Sequence, residues 1–107
     1  KPNYHAHVYF DAETVDKARQ ICEYCRDEFG VAMGRVHEKP VGPHPDWSCQ
    51  LTVSHDQFAD VMNWLAQNRD GLVIFTHPNT GNDLLDHRDH PIWMGAVRPL
   101  KLEMFEQ

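Results

Sequence analysis

Eight of the 107 residues are histidine, and their spacing bears on chemistry before any fold is considered. His5 and His7 stand two apart in Tyr4-His5-Ala6-His7-Val8-Tyr9-Phe10, His44 sits between Pro43 and Pro45, and His77, His87 and His90 fall in one later stretch. Imidazole is the commonest metal ligand and the acid or base best matched to neutral pH, so a group of them has two natural uses. Three such donors with coordination positions left open suit non-haem Fe(II) or catalytic Zn(II). Glu38, Asp83, Asp86 and Asp89 offer a carboxylate ligand, and the sequence singles out none of them. Trp93 lies beside the later histidines, where an indole could wall a pocket for an aromatic ring, and Arg35 and Arg98 are candidate clamps for a carboxylate. Cys22-Glu23-Tyr24-Cys25 has the Cys-x-x-Cys form but lacks a second ligand pair, and its place in mid-helix offers nothing to activate a thiol.

The elements that must position these groups follow from hydrophobic period. Tyr4, Ala6, Val8 and Phe10 alternate with His5, His7 and Tyr9, as in a half-buried strand with two histidines on one side. Asp11 can cap a helix whose apolar stripe is Val15, Ala18, Cys22, Cys25 and Phe29, ended by Gly30; the two cysteines therefore read as core packing. Val31 to His37 is short and extended, the three prolines of Lys39 to Pro45 exclude helix, and Trp47, Cys49, Leu51 and Val53 alternate as a strand. Ser54-His55-Asp56-Gln57 has capping-box form ahead of a helix carrying Phe58, Val61, Met62 and Leu65. Leu72 to Thr76 is an apolar strand, and His77 to Arg98 is a long loop with a helical turn around Asp83 to His87. Leu100, Leu102 and Met104 suggest a last strand.

This order predicts an α+β fold: a ferredoxin-like βαββαβ antiparallel sheet with two helices on one face and an extra C-terminal strand. In the arrangement expected, the first and third strands run parallel at the centre. The starts of those two strands and the end of the fourth then share one end of the sheet, where His5, His7, His44 and His77 meet. The loop that follows carries His87 and His90 to the same volume, whereas His37 and His55 fall outside it. Donors rooted on or beside strands are the expected metal ligands, because a metal needs closely held geometry; these are His5, His7, His44 and His77. His87 and His90, on the longer loop, are expected to move protons. Val73 and Phe75 share a side with His77 on the face away from the helices, which predicts a second copy covering that face in a homodimer.

Composition bounds the rest. The length suits one domain spanning residues 1–107. A formal charge of −6 supplies no basic field for nucleic acid, and no apolar run approaches membrane-spanning length. A soluble, cytoplasmic protein is expected, and three cysteines, an odd number, point to a reducing compartment.

Four segments together resemble the DOPA 4,5-dioxygenase family: Tyr4 to Phe10, Val41-Gly42-Pro43-His44-Pro45, Thr76-His77-Pro78-Asn79-Thr80-Gly81, and Asp86-His87-Arg88-Asp89-His90-Pro91-Ile92-Trp93-Met94-Gly95. The likeness runs from about Tyr4 to Leu102. It implies a ferredoxin-like fold, frequently dimeric, and extradiol opening of DOPA or a related catechol by O₂ at non-haem Fe(II). Two other functions compete with this one. The first is metal-free oxygenation or isomerisation with histidine as base, and the second is a non-catalytic module that binds a metal or an aromatic acid.

Overall fold

A computed structural model describes residues 1–106. The strands are β1 (Tyr4–Phe10), β2 (Ala32–Met33), β3 (Trp47–Val53), β4 (Ile74–Pro78) and β5 (Ile92–Met94). The helices are α1 (Val15–Phe29), α2 (Phe58–Asn68) and the short α3 (Asp83–Arg88). One sheet has the order β2-β3-β1-β4-β5 with every neighbouring pair antiparallel. This is the ferredoxin-like α+β architecture expected.

Two parts of that expectation change. β1 and β3 are antiparallel, with Tyr4 opposite Val53 and Phe10 opposite Trp47. The reason lies in the connections: each helix links two strands of like direction, β1 to β2 and β3 to β4, and each such pair is split by one strand running the other way. The local pattern of apolar residues is blind to strand direction. The extra strand also falls elsewhere, inside the segment read as loop, where Ile92–Met94 pairs with Ile74–Thr76. Leu100 to Met104 is not a strand; it lies over the sheet and ends in a 3₁₀ turn at Glu103–Phe105.

The sequence punctuation acts as its chemistry dictates. Gly30 adopts φ 70°, a left-handed conformation open to glycine, and its N–H closes α1 on the Arg26 carbonyl. Ser54 and Gln57 form a capping box, and the Gln57 amide also donates to the Phe29 carbonyl at 2.6 Å, which ties the start of α2 to the end of α1. Both helices pack on one sheet face, where Ala6, Val8, Cys49, Leu51, Val53 and Ile74 meet Ala18, Cys22, Cys25, Val61 and Leu65, all fully buried. The three cysteines are free and belong to this core. Replacing Cys22 and Cys25 together by Ala should lower stability by roughly 1–3 kcal/mol through lost packing, read by urea denaturation. An unchanged urea midpoint would show that the two thiols do not pack the core.

The opposite face is covered by the chain itself. Phe75, expected to be open to a second subunit, is fully buried beneath the Trp93 ring at 4.6 Å and beside His7 at 5.6 Å. The loop around Pro43, α3 and the tail through Phe105 form this cover, pinned where the Lys101 N–H donates to the Pro43 carbonyl at 2.8 Å. Of the two residues that favoured a dimer, Phe75 is therefore internal and Val73 is half-buried. Among the described residues no helix is long and apolar enough to cross a membrane.

Candidate metal centre

The histidines gather on the covered face because β1 alternates. Ala6, Val8 and Phe10 go to the helices, which sends His5, His7 and Tyr9 the other way. In the register of β1 with β4, His5 stands opposite His77, and His7 opposite Phe75. The Nε2 atoms of His7 and His77 are 3.2 Å apart, and one ring nitrogen from each of His5, His7 and His77 lies within 4.8 Å of the other two. The three can hold one ion. His7 and His77 are buried, and His5 is half-buried at the mouth.

Hydrogen bonds to backbone fix two tautomers. His77 Nδ1–H donates to the Pro78 carbonyl at 2.9 Å, and His87 Nδ1–H donates to the Asp83 carbonyl, one helical turn back, at 2.7 Å. In both rings this leaves Nε2 without a hydrogen, as outer-shell partners of metal-binding histidines do, and in His77 that atom accepts from His7 Nε2–H at 3.2 Å. The His77 and His87 rings pack 4.1 Å apart, and Phe105 stacks on His87 at 4.5 Å. These groups line a cavity of about 260 Å³ together with Pro43, His44, Gln50, Asn79 and Asp83.

Burial sets the charge state. Desolvation, followed by the neighbouring imidazoles His44, His77, His5 and His87, holds His7 well below the usual histidine range. His5 is lowered by burial and by His87. His44 is pushed down to about 4 by burial and then by His87 and His77. His77 also falls to about 4, chiefly by burial, with its Pro78 bond opposing. The cluster is thus neutral at pH 7, the state in which imidazole binds metal. The sign of the pH dependence follows. An unfolded histidine titrates near ~6.5, so stability from keeping these rings neutral is complete above that pH. It drains as pH falls towards about 4, because the unfolded chain takes up protons that His44 and His77 refuse. Urea midpoints of metal-free protein should drop across that window by the equivalent of roughly 2–5 kcal/mol, and His44→Gln should flatten the slope. A flat profile between those limits would show that the cluster is protonated in the folded state.

Of the six histidines expected to converge, five do. His44 arrives by an unforeseen route: it precedes β3 and so starts from the far end of the sheet, but its proline-rich loop folds back so that its ring lies 4.2 Å from His7. His90 is exposed and outside the cavity, because α3 ends before it and directs the chain away to β5. Trp93 backs the site rather than walling it, its ring stacked on Phe75 beneath the histidines. Arg35 is exposed and lines no part of the cavity, while Arg98 is paired with Asp46 at 2.8 and 3.0 Å. Among the carboxylates, Asp86 is committed to Thr80, Asp89 pairs with Arg88, Glu38 is exposed and remote, and Asp83 alone stands at the cavity rim. His37 pairs with Ser48 as an isolated bridge and His55 caps nothing but its own turn, both outside the cluster as expected.

Four lining or supporting residues were not foreseen. Gln50 faces the cavity from β3 opposite His7, which the alternation of β3 could have shown once its pairing was known. Asn79 stands two residues after His77, and Phe105 carries no local signal at all. Tyr9 supports from behind: its hydroxyl is 2.7 Å from His44 Nδ1. Tyr9 also borders a second cavity of about 250 Å³ with Asp46 and Arg98, which contains no histidine.

Comparison with known proteins gives the family and the fold. Residues 4–104 match the Dopa 4,5-dioxygenase family. A DOPA 4,5-dioxygenase from Amanita muscaria is 33% identical over 92% of this chain, and an uncharacterized 21.2 kDa protein from Botryotinia fuckeliana is 34% identical over 94%. The chain spans 47% and 62% of the lengths of those two relatives. A crystal structure of a "putative dioxygenase" from Nostoc punctiforme superposes with a TM-score of 0.85 at 39% identity, covering 99% of this chain and 92% of that one. With the family match running over almost every residue from β1 to the final turn, the chain belongs to the Dopa 4,5-dioxygenase family.

Proposed function

We propose that the protein is an extradiol dioxygenase that opens the ring of DOPA or a related catechol with O₂, using non-haem Fe(II) held by His5, His7 and His77. The observation that carries this reading is the group of three neutral imidazoles whose donor atoms lie within 4.8 Å of one another in a cavity. The donor set fits such an ion: all nitrogen, uncharged, and limited to three positions, which leaves room for a bidentate diol and O₂. Zn(II) would fit the same donors in isolated protein. When bound, Fe(II) supplies the electron-transfer chemistry that lets O₂ react with an aromatic diol.

The chain's own residues do the remaining work. His87 Nε2, left as a lone pair by the Asp83 bond, is the base that takes a phenolic proton, and its place on a short helix rather than a free loop keeps it beside His77. Phe105 covers His87 and keeps bulk water from that nitrogen. The amides of Gln50 and Asn79 can bond polar groups of the diol or its side chain. A cavity of about 260 Å³ admits a single aromatic ring with a short substituent.

The test is anaerobic loading with Fe(II), removal of excess metal, and addition of air and a panel of catechols with DOPA among them. One iron per chain, oxygen uptake and a yellow ring-opened product are expected. Iron-loaded protein that consumes no oxygen with any catechol would refute the reading.

A further inference from the structure

His44 looks like a fourth ligand by position, yet its hydrogen bonding differs in kind from that of its neighbours. His77 and His87 each donate from Nδ1 to a backbone carbonyl, an acceptor that can only receive. The partner of His44 Nδ1 is the hydroxyl of Tyr9, which is 3% exposed. A phenol can donate or accept, so the direction of this bond has to be decided by what else the hydroxyl can reach. Among the described residues it has no other hydrogen-bond partner; the nearby Asp46 carboxylate is occupied on both oxygens by Arg98. Were His44 the donor, the Tyr9 hydrogen would have no acceptor within the chain on a residue only 3% exposed, a loss that folded proteins avoid. Tyr9 O–H must therefore donate to His44 Nδ1. The proton of the neutral ring then sits on Nε2. That atom has no partner within the chain, and no buried side-chain nitrogen or oxygen lacks one among the described residues, so Nε2 opens on the cavity that His44 lines.

We propose that His44 is a hydrogen-bond donor of the site and no metal ligand: Tyr9 holds its Nδ1 and turns Nε2–H towards an oxygen atom of the bound ligand. Neither ring nitrogen is then a lone pair available to metal. His87 then offers the cavity a lone pair and His44 an N–H, while the lone pair of His77 accepts from His7 Nε2–H until an ion replaces that hydrogen. An aromatic diol that gives a proton to His87 becomes an oxyanion, and His44 is the donor placed to bind it. Tyr9 is a positioning residue, acting through His44. The proton placement rests on bonds inside the chain alone, whereas the identity of the ligand rests on the catechol reading above.

The deciding measurement is the ¹⁵N–¹H correlation of histidine side chains in the ¹⁵N-labelled protein at pH 7.5, metal-free and loaded with Zn(II). His44 should show an unprotonated Nδ1 and a protonated Nε2, with His77 and His87 of the opposite form. Through-bond assignment on the wild type makes this independent of whether any variant folds, and a protonated Nδ1 on His44 would overturn the proposal. In Tyr9→Phe the His44 signals should move towards a mixture of tautomers while those of His77 stay. Zn(II) titration adds a second arm: His44→Gln should keep one Zn(II) per chain, and loss of that stoichiometry in folded protein would make His44 a ligand after all. Binding of 4-nitrocatechol to Zn(II)-loaded protein, followed by absorbance, should weaken about tenfold in His44→Gln, the usual scale for one hydrogen bond to a charged oxygen. If the wild type bound no 4-nitrocatechol, the catechol reading would fail while the tautomer result stood or fell separately.

Discussion

His77→Ala should leave a folded protein that neither retains iron nor turns over a catechol. His77 is the ring that stands opposite His5 across the β1–β4 pair, reaches His7 at 3.2 Å, and has its tautomer fixed by the Pro78 carbonyl. Loss of an outer-shell partner alone costs about 10–100-fold in metal affinity, so loss of the donor itself should cost more. His7→Ala should behave in the same way. His87→Ala provides the contrast: it should keep iron and lose roughly 10²–10⁴ in rate, the range for removal of an acid or base. Iron content by inductively coupled plasma analysis, set beside oxygen uptake, separates the two classes. Full iron in every histidine variant would leave the metal assignment without support and make a metal-free reaction the better account.

The second large effect concerns a residue that never touches the cavity. Asp86 is 1% exposed, and its two oxygens accept from the Thr80 amide at 2.8 Å and the Thr80 hydroxyl at 2.6 Å. These bonds close the turn between β4 and α3, and with the Asn82 cap on the Leu85 amide they set the position of the helix that carries His87. Hydrogen bonds to a charged group contribute roughly 1.5–3 kcal/mol each, less here because Thr80 is solvent-exposed. Asp86→Ala should cost about 2–4 kcal/mol in urea denaturation and a further loss of rate as His87 shifts. Thr80→Ala removes the hydroxyl and spares the amide, so it should cost about half as much. A stable Asp86→Ala protein with normal turnover would show that α3 is held by other contacts.

What the sequence revealed was local. The alternation of β1 sends Ala6 and Val8 one way and His5 and His7 the other in any sheet, and Ser54 with Gln57 marks a helix start whatever surrounds it. The resemblance in four motifs brought the family into view through the same residues. What the sequence withheld was relational. Strand direction decides which end of β3 lies beside His5, and only the paired register shows that His44 must fold back from the other end. Ile92–Met94 is too short for its period to be read, and it becomes a strand because β4 offers an open edge. Asp86 is a candidate ligand by residue type, but its role as the acceptor for Thr80 depends on a turn six residues wide that no periodicity marks. His90 is separated from His87 by three positions and by the end of a helix, which is enough to carry it out of the site.

The sheet also keeps two kinds of donor atom apart. Cys22, Cys25 and Cys49 are wholly buried on the helix side, and the clustered imidazoles occupy the reverse. Sulfur and nitrogen can therefore be interrogated independently by chemical labelling in one molecule. Burial pushes the Cys25 thiol up to about 12, and a thiol reagent reaches any of the three only when the core opens. Their labelling rate becomes a clock for global opening, read without touching the histidines. Ion binding on the far face should slow that clock in proportion to the native state's extra affinity, which turns a cysteine reagent into a gauge of metal binding across a layer one backbone thick.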